Sequence, residues 1–222
     1  MNHSGTAGTE GSACEGAGTR LPRPTSAGAS LGGLLLTLIA LAACSRRAPE
    51  LAPAQPAPAA VQPPAPMPVS KVLVLESGGT PPSDTSVTLT TGAQRTVIVR
   101  NGPPDNTVFV EVTFPPNAFG PDSGAAVKAR IHPRPGVYGI DLDAERPIAG
   151  GARVIFKYAR YFAAPAAART RYGTDPAYER ALWIGRLAQD GTVTFLPSSR
   201  PAADNLEAFV PGAGSYIVGA PE

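Results

Sequence analysis

TVFVEVTF, residues 107–114, has two faces: Val108, Val110, Val112 and Phe114 fall on one side, Glu111 and Thr113 on the other. Successive side chains of a strand point to opposite faces, so this alternation describes a sheet with one face on a core and the other in water. The same period recurs downstream. In AAVKARI (125–131), Val127, Ala129 and Ile131 alternate with Lys128 and Arg130; in ARVIFKY (152–158), Val154, Phe156 and Tyr158 alternate with Arg153 and Lys157. Further short apolar runs, among them KVLVLE (71–76), RTVIVR (95–100), TVTFL (192–196) and LEAFV (206–210), are separated by Gly, Pro, Asn and Asp. Many short strands punctuated by turn residues predict an all-β body over residues 71–222, an antiparallel β-sandwich. No segment sustains a 3.6-residue apolar period. The one helical candidate is a turn or two around residues 163–169, weakened by Pro165.

Upstream of this body the texture is different. Residues 31–43, LGGLLLTLIALAA, carry no charge, and as a helix they reach only about 20 Å, short of the ~30 Å hydrocarbon core of a bilayer. Arg20 and Arg23 precede the run and small residues close it, the order of an export signal. Residues 1–43 are therefore expected to be a signal peptide with a long n-region, whose Gly, Ser, Thr and Ala content gives no hydrophobic period and reads as disordered. The arginines are not adjacent, which favours the general secretion route over a twin-arginine one.

Leu41-Ala42-Ala43-Cys44 closes that run. It resembles the lipobox of bacterial lipoproteins: a leucine, two small residues and an obligatory cysteine. The resemblance implies that Cys44 receives a diacylglyceryl thioether and becomes the first residue of the mature chain, a membrane anchor in the cell envelope. Ser45 in the next position agrees with outer-membrane sorting as it operates in enterobacteria; the periplasmic face of an inner membrane is the other location expected. Of the two cysteines, Cys14 would be discarded and Cys44 lipidated, leaving no thiol for a disulfide, a metal site or a nucleophile. Residues 44–70, rich in Pro and Ala, cannot fold compactly and are expected to be a semi-rigid linker, whose residues 48–69 reach up to roughly 70 Å.

FPPNAFGPDSGAAVKARIHPRPGVYGIDLDAERPIAGGARVIFKYA (114–159), ALWIGRLAQDGTVTFLPSS (181–199) and EAFVPGAGSYIVGAP (207–221) together resemble the ZU-type β-sandwich domain of netrin receptors, ankyrins and bacterial surface proteins. The likeness rests on the turn Pro115-Pro116-Asn117-Ala118-Phe119, a Tyr-Gly-Ile-Asp strand, a Trp-containing hairpin with Asp-Gly at its tip, and a final Ser-Tyr-Ile-Val strand. It implies a fold and says almost nothing of function. Some members cut themselves at a His-Phe-Ser motif near the last strand; here Gly or Ala stands in place of the histidine and phenylalanine beside Ser215, so no self-cleavage is expected.

Other chemistry finds little footing. His132 is the one histidine after the signal segment, too few for a multi-histidine zinc site. Asp141, Asp143 and Glu145 alternate along one strand face, but an EF-type calcium loop would need Gly and Glu where Arg146 and Ala152 stand, so they read as a solvated strand end. No GxSxG elbow, Walker loop or HExxH occurs. No cofactor or metal is expected. A net charge of +2 and an extracytoplasmic location argue against nucleic acid. One stretch stands out, residues 157–183, where aromatics and arginines gather. Arg160, Tyr161, Arg169, Arg171, Tyr172, Tyr178 and Arg180 are the candidate ligand-binding residues, since guanidinium planes and aromatic faces suit sugars and anionic polymers. The competing reading is a long connection whose aromatics cover a sandwich edge while its arginines keep it soluble. The expected role is a non-enzymatic binding or scaffold module for an envelope protein or glycan; the alternatives are an accessory subunit of an envelope complex and a carboxylate-dependent hydrolase.

Overall fold

The computed structural model describes residues 62–222; the signal segment, Cys44 and most of the linker lie outside the described residues. In chain order the body contains β1 (Met67–Pro68), β2 (Val72–Val74), β3 (Glu76–Ser77), β4 (Thr85–Thr90), β5 (Arg95–Arg100), β6 (Val108–Phe114), β7 (Ala126–Pro133), β8 (Gly139–Ala144) and β9 (Ala152–Lys157). There follow β10 (Phe162–Ala163), α1 (Ala166–Tyr172), α2 (Asp175–Arg180), β11 (Trp183–Leu187), β12 (Thr192–Phe195), β13 (Ser198–Ser199), β14 (Asn205–Val210) and β15 (Gly214–Pro221).

Two antiparallel sheets face each other. The larger runs β1-β12-β11-β15-β8-β7-β4, with β2 also paired to β15; the smaller runs β13-β14-β9-β6-β5. Their inner faces meet in one core. Val110, Val112, Phe114, Val154, Phe156, Leu206 and Val210 of the smaller sheet pack with Leu89, Val127, Ile131, Ile140, Ile184, Tyr216 and Val218 of the larger. All of these are buried, so the period-two reading holds for them and the fold is all-β as expected; Val108, read onto the same face, is only half-buried, and Thr113, read as facing water, is buried.

Four departures have physical causes. First, strand pairing begins at Met67, inside the segment read as linker: Met67 pairs with Val193 and Pro68 with Thr192. β1 is an edge strand, where a residue without an N–H is tolerated. Second, the register of β5 on β6 slips between Val99 and Arg100, which leaves Phe109 as an extra residue in β6. That bulge turns Phe109 inward beside Val110, and both are buried.

Third, Pro165 precedes α1 instead of weakening it, and Gly173 ends that helix with φ at +77°. A second helix, α2, starts at the N-cap Thr174, whose side chain accepts from the backbone N–H of Ala177, with Pro176 in the first turn. Fourth, the outer face of the larger sheet is not wet throughout. At its β11, β12 and β15 end, Val72, Val193, Phe195 and Ile217 form a second apolar cluster with Met67, Trp183 and Leu187 packed against it. The β11–β12 hairpin is set by Asp190-Gly191: Gly191 has φ +81° and the Asp190 carboxylate accepts from the N–H of Thr192.

Candidate functional site

Of the aromatics of residues 157–183, Tyr158, Phe162, Tyr172 and Tyr178 point into the body. Rings follow one another at centroid spacings of 5.1–6.2 Å from Phe156 through Phe109, Tyr138, Tyr158, Phe162 and Tyr178 to Tyr172. Tyr178 is wholly buried on α2 and its hydroxyl donates to the carbonyl of Leu73 at 3.0 Å. The hydroxyl of Tyr172, a half-buried ring, donates to the carbonyl of Pro221. Burial pushes the Tyr158 hydroxyl up to about 12. Tyr178 therefore has no face left for a ligand, and as a stacking residue it is corrected: the two short helices clamp it over the sandwich edge.

The arginines stay outside, largely paired. Arg169 makes two hydrogen bonds to the Asp175 carboxylate, at 3.0 and 3.4 Å, which ties α1 to the start of α2. Arg171 lies over the Tyr172 ring, 5.7 Å from its centroid, and Arg180 is exposed at the end of α2. These three arginines and Tyr172 do not line the hollow bordered by Arg160 and Tyr161, which follow β9.

Arg160 and Tyr161, with Asn101, Thr107, Val108 and Lys157, line a hollow of about 300 Å³. The Arg160 Nε lies 2.8 Å from Asp105 Oδ1, and the Thr107 hydroxyl donates to the same carboxylate. The Thr107 hydroxyl bond foremost, then the Tyr161 side chain and the Arg160 guanidinium, outweigh desolvation and hold Asp105 below the usual carboxylate range. Asn101 is almost completely buried, and its Oδ1 has no hydrogen-bond partner among the described residues.

The outer face of the larger sheet carries the remaining polar residues singled out from the sequence. Across adjacent strands the register aligns Asp84, His132, Asp141 and Ser215, because His132 pairs with Asp141 and Asp141 with Ser215. His132 Nδ1 is 3.0 Å from Asp84 and Nε2 is 3.5 Å from Asp143. The bond to Asp84 is the main reason its imidazole holds a proton more tightly than usual. Since strands lie about 4.8 Å apart, His132 stands roughly 10 Å from Ser215 with an aspartate between them. That order gives the serine no base. Asp141 accepts from Arg134 at 2.8 Å and Asp143 from Arg130 at 3.3 Å, so two of the three carboxylates read as a solvated strand end are ion-paired to β7 and its flank, while Glu145 accepts from the backbone N–H of Lys128. Asp141, Arg186, Asp190 and Ser215 border an open cleft of about 850 Å³, whose Arg186 donates to the carbonyl of Ala213.

The smaller sheet exposes what the sequence reading passed over. Phe209 is 58% exposed, and its register partner on β9 is Arg153. With Gln94, Thr113 and Pro115 they line a hollow of about 400 Å³ on the sheet's outer face. The signal was present in LEAFV: Leu206, Ala208 and Val210 point inward, so period two puts Phe209 outside.

Comparison with protein families, curated proteins and solved structures finds no match to this chain.

Proposed function

We propose that the chain is a lipid-anchored protein of a bacterial envelope whose β-sandwich serves as a non-catalytic binding or scaffold module, with no cofactor. The observation that carries this is the order of the sequence: an uncharged run too short to span a bilayer, Leu41-Ala42-Ala43-Cys44 at its end, then a Pro/Ala-rich spacer, then a body whose first paired residue is Met67. Acyl chains stabilise membrane association by about 0.8 kcal/mol per buried CH₂, and two or more chains make it effectively permanent. The ZU-type likeness supports a scaffold or binding role over a catalytic one.

The surface chemistry leans the same way. Acidic side chains on both sheets lie against cations, Glu111 with Lys157 at 2.8 Å and Asp141 with Arg134 at 2.8 Å, an arrangement that serves solubility and register better than general acid-base work. The test is detergent phase partition of the full chain and of Cys44→Ser, with mass spectrometry of the mature N-terminus. The wild type should enter the detergent phase as a thioether-modified Cys44 and the variant should stay aqueous; equal partition of the two removes the proposal.

A further inference from the structure

Phe209 is the most exposed large hydrophobic side chain among the described residues, and its ring is held in place. A Cβ added at Gly151 would fall 2.5 Å from the Cε1 and Cζ atoms of that ring, so part of the ring rests on bare backbone at a glycine with φ of +69°. The rest of it is open to solvent. Around it stand groups that make hydrogen bonds. Arg153 is directly opposite on β9, and its Nη1 lies 3.6 Å from Glu207 Oε2, too far for a good hydrogen bond, so its donors remain available. Thr113 shares a 2.9 Å hydrogen bond with Thr96, Gln94 contributes an amide, and Pro115 closes the hollow.

We propose that this hollow is a saccharide-binding subsite that takes one pyranose ring of a glycan. A pyranose has an apolar C–H face and a rim of hydroxyls. The first matches the electron-rich face of an exposed aromatic ring, and the second matches the Arg153 guanidinium fork and the Gln94 amide beside that ring. The hollow, at about 400 Å³, is at the small end of ligand sites. A protein partner fits less well, because docking surfaces concentrate apolar anchors in one patch. Ile98, the other exposed apolar side chain of this face, sits in a different row, paired with Glu111, while the Phe209 row continues through Arg153, Thr113 and Thr96. The subsite rests on reading the sandwich as a binding module and is independent of the lipid anchor.

The test is titration of the full-length protein in detergent with three probes: cellotetraose, chitotetraose and tetragalacturonate. At least one should bind saturably, with a Kd on the order of 0.1–1 mM, as suits one exposed ring and a few solvent-facing hydrogen bonds. Phe209→Ala should weaken that binding tenfold or more with its thermal unfolding unchanged, Phe209→Trp should retain it, and Arg153→Ala should weaken it several-fold. Ile98→Ala on the same face should bind as wild type. Cys44→Ser should also bind as wild type, which separates failure of the anchor from failure of the subsite. Absence of binding to all three probes, or binding by the Phe209→Ala and Arg153→Ala proteins equal to that of wild type, would overturn the proposal.

Discussion

The hydroxyl of Tyr178 donates to the carbonyl of Leu73 at 3.0 Å, across 105 residues of chain, and so fastens α2 to the strand that enters the larger sheet. Tyr158, equally buried two rings away, has a hydroxyl with no partner among the described residues. Tyr178→Phe strips a buried bond and should cost about 1–2 kcal/mol in urea unfolding. Tyr158→Phe removes only an unsatisfied group and should be neutral or slightly stabilising. Equal losses in the two variants would contradict this assignment.

Gly150 lies against the Pro115–Ala118 turn: its N–H donates to the carbonyl of Ala118, and a Cβ there would sit 2.2 Å from the carbonyl oxygen of Asn117. Backbone cannot yield as a flexible side chain does. Gly150→Ala should destabilise by about 2–4 kcal/mol. Gly78→Ala meets nothing within 4 Å and should be near neutral. Chemical denaturation of both variants checks the contrast.

His132 predicts a dependence on pH. Its folded pKa is raised, first by the hydrogen bond to Asp84, with Asp143 and Asp141 adding to it against some desolvation. The folded state therefore binds the proton more tightly than the unfolded chain. The associated stability is fully present below the unfolded value of about 6.5 and is lost as pH rises through the folded pKa. The pair is partly exposed, which limits the effect to a Tm difference on the order of 1–3 °C. Wild type should exceed His132→Asn by that margin at pH 5.5 and lose the advantage by pH 8.5, read by calorimetry; a gap that widens with pH would reverse the assignment.

Thr174 accepts from the N–H of Ala177 at the start of α2. Thr174→Ala should lower stability by about 1 kcal/mol and Thr174→Asn should restore most of it, since Asn also caps. Thermal melts of both proteins decide it.

Strands that bury a single face are legible by spacing, as with Val110, Val112 and Phe114, whereas β15 is buried on both faces by the second apolar cluster and shows no alternation. Phe109 was not, because a bulge breaks the parity on which that spacing depends. The α2 helix was signalled by Thr174-Asp175-Pro176, a cap followed by an early proline, but six residues are too few to show a period. The candidate site suffered from reading composition without direction. Tyr178 and Tyr172 share a stretch with Arg169 and Arg171, yet the rings satisfy the core and the guanidiniums satisfy Asp175 or solvent. Phe209, alone in its segment, gave no compositional cue and is the ring left open.

Finally, the two-residue ladder between Met67–Pro68 and Val193–Thr192 lies where tension on the upstream chain first enters the body. A pull along that chain peels this short clip, and with it the Val69 N–H to Gly191 carbonyl bond, before it loads the paired strands behind. Stretching would thus release a few residues of slack while the paired strands behind stay shut.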